Sequence, residues 1–281
     1  MDWSKAKNVL IIAFIAINIL MGYVLIVENQ EVDATNSPDF IQQAEDLLNN
    51  KGIEVNTDIP NINPKLSALT VVYENMKPEQ VNKNFFNSRG YVSAQGEELA
   101  EISLEDESVS ILNKKLIIYE SNSSENKYPN LNEEDVIPIA KEFLMDKGYN
   151  IEDIKISFIK KVSDYYYVEF SKIYNDIYLE SAFTNIQINS SGVIKMERMW
   201  LDVKEEGENL IAISPAAKSI LALLSMKEVY GKTIVDISHC YYFNPGKHDY
   251  IDDPLEAKQG RAIPAWRIQF EDGYKVIIDN Y

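Results

Sequence analysis

The sequence is short of the residues on which many sites and covalent frameworks depend. It has one cysteine, Cys240, and two histidines among 281 residues. One cysteine cannot form an internal disulfide or build a cysteine-ligated zinc or iron–sulfur centre. Basic residues are also scarce, with 27 Lys and Arg against 44 Asp and Glu and a formal net charge of −17. Because nucleic-acid phosphates are bound by basic surfaces, we expect no nucleic acid among the partners.

The common catalytic and phosphate-binding motifs are missing as well. The chain has no G-x-S-x-G, H-E-x-x-H, G-x-G-x-x-G or P-loop sequence. His239 and Cys240 are neighbours in a predicted strand, so their side chains point to opposite faces and cannot form a nucleophile–base pair. We therefore expect no catalytic, cofactor or metal site, and we favour a binding protein over an enzyme. One acidic loop contains His248, Asp249, Asp252, Asp253 and Glu256. A calcium site is conceivable there, but the spacing of these residues fits no EF-hand, and a solvated loop is the preferred interpretation.

The first 27 residues differ in character from the rest of the chain. Residues 9–27 carry no charge, and as a helix they would span about 28 Å, close to the hydrocarbon thickness of a bilayer. Lys5 and Lys7 precede this run and acidic residues follow it, so the positive-inside rule predicts a cytoplasmic N-terminus. A cleaved signal peptide is the alternative, although its apolar region is usually shorter. We predict a cytoplasmic stub at residues 1–8, a single transmembrane helix at residues 9–27 and an extracytoplasmic remainder.

One face of the predicted transmembrane helix carries a polar residue. Asn18 lies near the middle of the span, with Phe14 one turn before it and Gly22 one turn after it. Side-chain amides and small residues favour helix association in lipid, where no hydrophobic force draws apolar helices together. Phe14, Asn18 and Gly22 are therefore the candidate partner-binding face. The alternative is that a single Asn is tolerated in a strongly apolar helix.

The outer part of the chain predicts a linker at residues 28–37 and two α+β units at residues 38–125 and 129–281. The polar run at residues 121–130 marks the boundary between the units. Each unit has capped helices followed by strands, which predicts helices packed on one face of antiparallel sheets. Four helices are predicted: one that begins at Pro38, one over Pro78–Phe86, one from Asn132 to about Lys147 and one from Ser214 to about Met226. Pro138 lies inside the helix that begins at Asn132 and is expected to delay or kink its start. Four of the strand predictions lie in the second unit: Ile154–Val162, Tyr165–Ile173, Tyr178–Asn189 and Val193–Val203.

Both ends of the chain carry a resemblance to a known family. The opening MDWSK directly before an apolar span with Asn18, and the closing PAWRI at residues 264–268 with Gly273, are similar to those of the YycI (WalI) family. The order of elements between them is similar too. The resemblance implies a single-pass protein of low-GC Gram-positive bacteria with an extracytoplasmic α+β region. Members act beside the related YycH on the essential sensor histidine kinase WalK (YycG), which controls cell-wall metabolism, and contact with the kinase is thought to run largely through transmembrane helices.

Two functional hypotheses follow from different classes of protein. The first is a non-enzymatic membrane accessory protein that regulates a WalK/YycG-like sensor histidine kinase together with a YycH-like partner. The alternative is a membrane-tethered module that binds an extracytoplasmic ligand or wall fragment. An apolar cleft between the two units with converging tyrosines would favour that alternative, and the candidate tyrosines are Tyr165–Tyr167 and Tyr241–Tyr242. A wall hydrolase is the least favoured function, because no zinc triad or cysteine–histidine pair can be assembled.

Overall fold

The computed structural model describes residues 34–96, 98–247 and 257–279, with positions 7, 14, 15, 17–19 and 21 of the N-terminal segment. Those N-terminal positions are helical. Among all the residues described, no helix is both long enough and apolar enough to cross a membrane. Most of the predicted span at residues 9–27 and most of the predicted linker at residues 28–37 lie outside the described residues.

Strands predominate in the described chain, and single helices separate runs of consecutive strands. The α-helices are α1 (Pro38–Asn49), α2 (Pro78–Phe86), α3 (Glu133–Asp146) and α4 (Ala216–Ser219). The strands are β1 (Glu54–Val55), β2 (Lys65–Tyr73), β3 (Tyr91–Gln95), β4 (Leu99–Leu104), β5 (Glu107–Leu112), β6 (Leu116–Ser121), β7 (Ile154–Val162), β8 (Tyr165–Tyr174), β9 (Ile177–Asn189), β10 (Gly192–Met199), β11 (Leu201–Ala212), β12 (Thr233–Tyr242), β13 (Gln259–Phe270) and β14 (Lys275–Ile278). This composition confirms the α+β part of the predicted fold class.

Two helices begin where their capping residues predict. At the start of α1, the Ser37 hydroxyl accepts a hydrogen bond from the Phe40 N–H at 3.3 Å. At the start of α3, Asn132 and Asp135 form a capping box in which each side chain accepts from a backbone N–H of the first turn. The expectation that Pro138 delays α3 is wrong, because the capping box fixes the first turn ahead of the proline.

Two predicted elements differ from the structure. The helix expected from Ser214 to about Met226 is α-helical only in α4, and a 3₁₀ helix follows over Ile220–Ser225. Ala217 of α4 and Ile220 and Leu223 of the 3₁₀ helix are buried at a spacing of three, which a 3₁₀ turn places on one face. Ala216 and Ser219 of α4 are buried as well. The strand expected at Val193–Val203 is divided at Trp200 into β10 and β11, because each half pairs with a different set of strands.

The strands form one continuous hydrogen-bonded path in the described chain. Its order is β11-β2-β13-β12-β9-β10-β6-β5-β4-β3, with β1 beside β12, β14 beside β13, β8 beside β9, and β7 beside β8. Most pairs are antiparallel, as predicted. The prediction is wrong at β12, which runs parallel to both β1 and β9. These neighbours are reached through long crossover connections, and such connections allow parallel pairing where a hairpin does not.

Buried apolar residues form three clusters. The first core packs α2 and α3 against β4, β5, β6, β8, β9 and β10. The second core packs α1 and residues 213–229 against β12, β13 and β14. The third cluster, which we call the junction core, joins residues of β2 and β11 to Leu179 and Ala182 of β9 and to Tyr241 and Phe243.

The cores divide the described chain into two lobes. We define lobe 1 as residues 74–200, around the first core, and lobe 2 as residues 34–73 and 201–279, around the second core. Lobe 1 is thus inserted between the two segments of lobe 2, and the chain crosses between them at Glu74 and Trp200. The predicted boundary between residues 125 and 129 stays a prediction. Strands from both sides of it share the first core, where β6 pairs with β10.

Candidate functional site

Part of the predicted partner-binding face lies among the described residues. Phe14 and Asn18 are helical, and the Phe14 side chain is 67 % exposed. The Asn18 amide Nδ2 donates to the Phe14 carbonyl oxygen at 2.7 Å, one helical turn away. The structure therefore brings these two residues together, and the bond satisfies the amide group within its own helix. Gly22, the third residue of the predicted face, lies outside the described residues.

A polar cleft lies beside α3 in lobe 1. Its volume is about 270 Å³, and a second depression of about 340 Å³ adjoins it. The cleft is lined by one face of α3, the start of β5, the end of β6, the loop after β6 and the turn before β10. Its walls come from both predicted units, residues 38–125 and 129–281, but it is mostly polar, whereas the ligand-binding hypothesis would have favoured an apolar cleft.

The helical repeat of α3 explains which of its residues reach the cleft. Spacings of three and four residues place five side chains on one helix face, and all five line the cleft: Ile139, Glu142, Phe143, Asp146 and Lys147. The two apolar members pack against the first core. The three charged members therefore stand beside the apolar surface and give this face its mixed character.

The loop at residues 122–131 forms another wall of the cleft. The Tyr128 N–H donates to the Ser190 carbonyl oxygen at 2.8 Å, which ties the loop to the β9–β10 turn. In that turn Gly192 has a φ of +105°, a conformation that other residues adopt only with strain. The polar run that sequence reasoning assigned to a domain boundary is thus an ordered part of the cleft wall.

Lys147 is the central charge of the cleft. Its Nζ donates to the Phe85 carbonyl oxygen at 3.3 Å. It also lies 5.3 Å, 5.4 Å and 5.9 Å from the ring centroids of Phe85, Phe143 and Tyr119, within the range of cation–π attraction. Burial lowers the pKa of Lys147, against the opposing effect of nearby Glu107. The same burial raises the pKa of the Tyr119 phenol, which hydrogen-bonds to Glu107.

A second group of charges lies between the two lobes, and we call it the seam. Arg267 of lobe 2 is 1 % exposed, and its Nε donates to Glu180 of lobe 1 at 2.7 Å. Its Nη1 donates to Asp236 at 2.7 Å. Lys275 pairs with Glu169 and lies 3.8 Å from Glu180. Because the bonds cross from β13 and β14 to β8 and β9, the seam fixes how the two lobes are oriented.

A third charged group lies where the chain crosses between the lobes. The Arg198 guanidinium is stacked 4.0 Å from the Trp200 ring and 4.3 Å from the Tyr149 ring. It donates to Thr184 at 2.8 Å and to Glu74 at 3.3 Å. Burial raises the pKa of Glu74, although the Arg198 charge opposes that shift. These contacts make the crossing point a packed junction.

The histidine and cysteine of β12 occupy the opposite faces that strand geometry predicts. Cys240 is fully buried, which confirms its interpretation as a small core residue. Burial raises the pKa of its thiol well above the usual value, so the reactive thiolate is disfavoured. His239 is half-buried, with its ring edge-on to Trp266 at 6.3 Å. Burial lowers the pKa of His239.

The tyrosines singled out in the sequence do not meet in a described cleft. Tyr166 is buried in the first core and Tyr241 in the junction core, whereas Tyr119 and Tyr128 are the tyrosines that line the cleft. Residues 248–256 of the acidic loop lie outside the described residues. Within the described part of the chain, no group of three or more His, Cys, Asp or Glu side chains could hold a metal ion.

Sequence reasoning missed the cleft, because its walls come from four separate stretches of the chain. The one local signal was the α3 face, where charged residues alternate with buried apolar ones. The sequence instead draws attention to the other end of this helix, where Asn132 and Asp135 form the predicted N-terminal cap. It gave no indication of the β6 loop on the other side.

Comparison with known proteins gives one family and a related fold. The family described as "YycI protein" matches residues 30–281 of the chain. No curated protein matches the chain. Among solved structures, YycH from Bacillus subtilis aligns with a TM-score of 0.53 and 13 % identity, covering 79 % of this chain. This chain spans about half of that YycH chain, 54 % of its length.

A second solved structure has a similar fold. An uncharacterized protein from Eubacterium rectale ATCC 33656 aligns with a TM-score of 0.51 and 12 % identity. The alignment covers 80 % of this chain and 85 % of that one. At these identities both likenesses concern the fold alone.

Proposed function

This chain belongs to the YycI family, and we propose that it is a non-enzymatic, single-pass membrane protein that regulates a cell-wall-controlling sensor histidine kinase together with a YycH-like partner. Membership of the YycI family supports the role of a regulatory accessory protein in a two-component system. The observation that carries the proposal is the family match, which extends from residue 30 to the end of the chain.

We propose that residues 9–27 anchor the chain and that residues 28–37 link the anchor to the extracytoplasmic part. The uncharged run and the basic residues before it support this topology. Immunoblotting of the membrane fraction should give the full-length mass. A shortened, soluble form as the sole product would instead indicate a cleaved signal peptide.

Contact with the kinase is proposed to use the face with Phe14, Asn18 and Gly22. The Asn18 amide already donates through Nδ2 to the Phe14 carbonyl oxygen, which holds the side chain along its own helix. The Asn18 side-chain oxygen is then the atom that would accept a hydrogen bond from a neighbouring helix. In lipid such an interhelical bond contributes roughly 0.5–2 kcal/mol. A regulator acts in this way only if it binds one signalling state of the kinase better than the other.

Co-purification from membranes tests the partners. Full-length chain should retain both the kinase and the YycH-like protein, and replacing residues 9–27 with an unrelated span should weaken retention of the kinase. A matched variant, Ile17→Asn with Asn18→Ile, keeps the composition of the helix but moves the amide by about 100° around the axis. Unchanged kinase retention with both variants would contradict the helix-contact proposal. If control purifications with the tag on an unrelated protein retain both partners equally well, the retention is non-specific capture and the proposal of specific partners is wrong.

A further inference from the structure

The cleft beside α3 holds charges of both signs that lie near one another without forming an ion pair among the described residues, although Glu107 and Asp146 raise the pKa of Lys147 against the effect of burial. Lys147 has no carboxylate within 4 Å of its Nζ among the described residues, and Glu107, Glu142 and Asp146 form no ion pair with any described cation. In the described part of the chain, Lys127, the second cation of the lining, pairs with Glu125 alone, at 3.6 Å, and both side chains are exposed. The cleft therefore presents one cationic centre and several anionic groups that a ligand could bridge.

The position of Lys147 suits an anionic group of a ligand. Only one of its three N–H donors is used within the described chain, in the bond to the Phe85 carbonyl. The rings of Phe85, Phe143 and Tyr119 surround its stem and ammonium group, so the amine is held in place before a ligand arrives. A carboxylate in the cleft would accept the remaining hydrogens in a charge-assisted hydrogen bond.

The acidic groups exclude a simple anion as the best ligand. Glu142 and Asp146 are exposed on the same α3 face, one helical turn apart. Three carboxylates against two ammonium groups make the lining net negative, and the whole chain carries −17. A free anion would be repelled, and a free cation would leave Lys147 without a partner. A ligand with one charge of each sign satisfies both.

From this geometry we propose that the cleft binds a small zwitterion, an amino acid or short peptide, whose carboxylate meets Lys147 and whose ammonium group meets Glu142 and Asp146. The volume of about 270 Å³ is many times the ~10–15 Å³ that one water molecule needs, so the cleft has room for a small organic ligand. The ordered loop at residues 122–131 closes one side. This site goes beyond the regulatory role proposed above and does not depend on the kinase or its partner.

The test uses L-alanyl-L-alanine with the full chain in detergent. Limited acetylation with acetic anhydride, followed by peptide mass spectrometry, reports the accessibility of each lysine. The dipeptide should protect Lys147 from acetylation. Lys161 is the matched control, because its Nζ also lies over an aromatic ring, 5.3 Å from the Tyr166 centroid, and it should stay unprotected. Absence of Lys147 protection at about 10 mM dipeptide, a concentration that detects even very weak binding, would overturn the proposal.

Two blocked dipeptides separate the charges. N-acetyl-alanyl-alanine lacks the ammonium group and alanyl-alanine amide lacks the carboxylate, so each should bind about tenfold or more weakly than the free dipeptide. Inorganic phosphate should protect Lys147 poorly. Equal protection by the amide, or better protection by phosphate than by the dipeptide, would overturn the assignment to a zwitterion.

Variants complete the test by equilibrium dialysis of labelled dipeptide. Glu142→Gln changes an exposed side chain and should weaken the dipeptide without weakening its N-acetyl form. Lys147→Met should weaken both about tenfold or more, whereas the control Lys161→Met should change neither. If Lys147→Met does not fold, the Glu142→Gln result alone decides: equal binding of the free dipeptide by this variant and the unaltered chain would contradict the proposal.

Discussion

The interior of each lobe is apolar, whereas the seam between the lobes contains buried charge. Phe170 and Leu144 of the first core are fully buried among other apolar residues. In the seam, Arg267 is equally buried but lies between Glu180 and Asp236. Hydrophobic burial is non-directional, while an ion pair is satisfied in one arrangement. The comparison indicates that the cores supply stability and that the seam supplies the relative orientation of the lobes.

The backbone connection at the seam is correspondingly narrow. Between β9 and β12 it consists of three parallel residue pairs, from Cys240 with Tyr178 to Tyr242 with Glu180. The Ser181 hydroxyl adds a bond to the Phe243 carbonyl oxygen at 2.6 Å. Because so few backbone hydrogen bonds cross here, most of the contact that holds the lobes together comes from the side-chain ion pairs of the seam and from the junction core.

The largest effect is expected in a core. Phe170→Ala should lower the free energy of unfolding by about 4 kcal/mol, since it removes a fully buried ring and leaves a cavity. Urea unfolding followed by circular dichroism measures the loss. Tyr91→Ala, at a side chain that is 73 % exposed, is the control and should change stability by less than about 0.5 kcal/mol. Similar losses for both variants would contradict the assignment of stability to the core.

A smaller but diagnostic effect is expected in the seam. Arg267→Met should cost about 3 kcal/mol, because it removes the 2.7 Å bond to the buried Glu180 carboxylate and leaves it only the more distant Lys275, at 3.8 Å. Adding Glu180→Leu should recover most of that loss, since a buried ion pair and an apolar pair of similar volume are often equivalent. Thermal unfolding of the single and double variants measures the recovery. Additive losses in the double variant would show that the seam stabilises the fold as the cores do.

The crossing point between the lobes should be less sensitive. Arg198→Lys keeps the charge but removes the planar group that stacks on Trp200 and Tyr149, and a loss of about 1–2 kcal/mol is expected. Arg89→Lys, at an exposed position, serves as the control with no expected change. Equal stability of both variants in urea unfolding would mean that the stacking geometry contributes nothing.

The smallest effect concerns pH and His239 of lobe 2. Burial lowers its pKa in the folded protein, so the unfolded chain binds a proton more readily. The stability from the neutral imidazole is present above the ordinary pKa of about 6.5 and is lost as the pH falls through the lowered pKa of the folded state.

Stability measured from pH 8 to pH 5 should therefore fall less in His239→Gln than in the unaltered chain. At pH 8 the two should have the same pH slope. A steeper acid loss in the variant would show that the imidazole gains a favourable interaction on protonation, contrary to the burial argument.

Local signals account for the parts of the fold that sequence reasoning obtained. Ser37 and Asn132 mark helix starts because a cap depends on a few neighbouring residues, and the bounds of β7 follow from its flanking turns. The parallel pairing of β9 with β12 could not be obtained in this way, because it joins segments about sixty residues apart in sequence. The same reason applies to the cleft, where Glu107, Tyr128, Lys147 and Gly192 meet from four segments. The 3₁₀ helix after α4 was missed because its three-residue repeat resembles part of an α-helical one.

The insertion of lobe 1 within lobe 2 has a consequence for biosynthesis. β2 ends at Tyr73, but its partner β11 begins only at Leu201, so the first segment of lobe 2 leaves the ribosome long before its partners exist. Lobe 1 is contiguous in sequence and can form its core during this time. The first segment of lobe 2 has no partner strand yet, so Leu69 and Val71 stay exposed. Long-range pairing of this kind slows folding and leaves unpaired strand edges open to aggregation. The edge of β2 is therefore open to wrong pairing for the whole interval between the synthesis of β2 and that of β11.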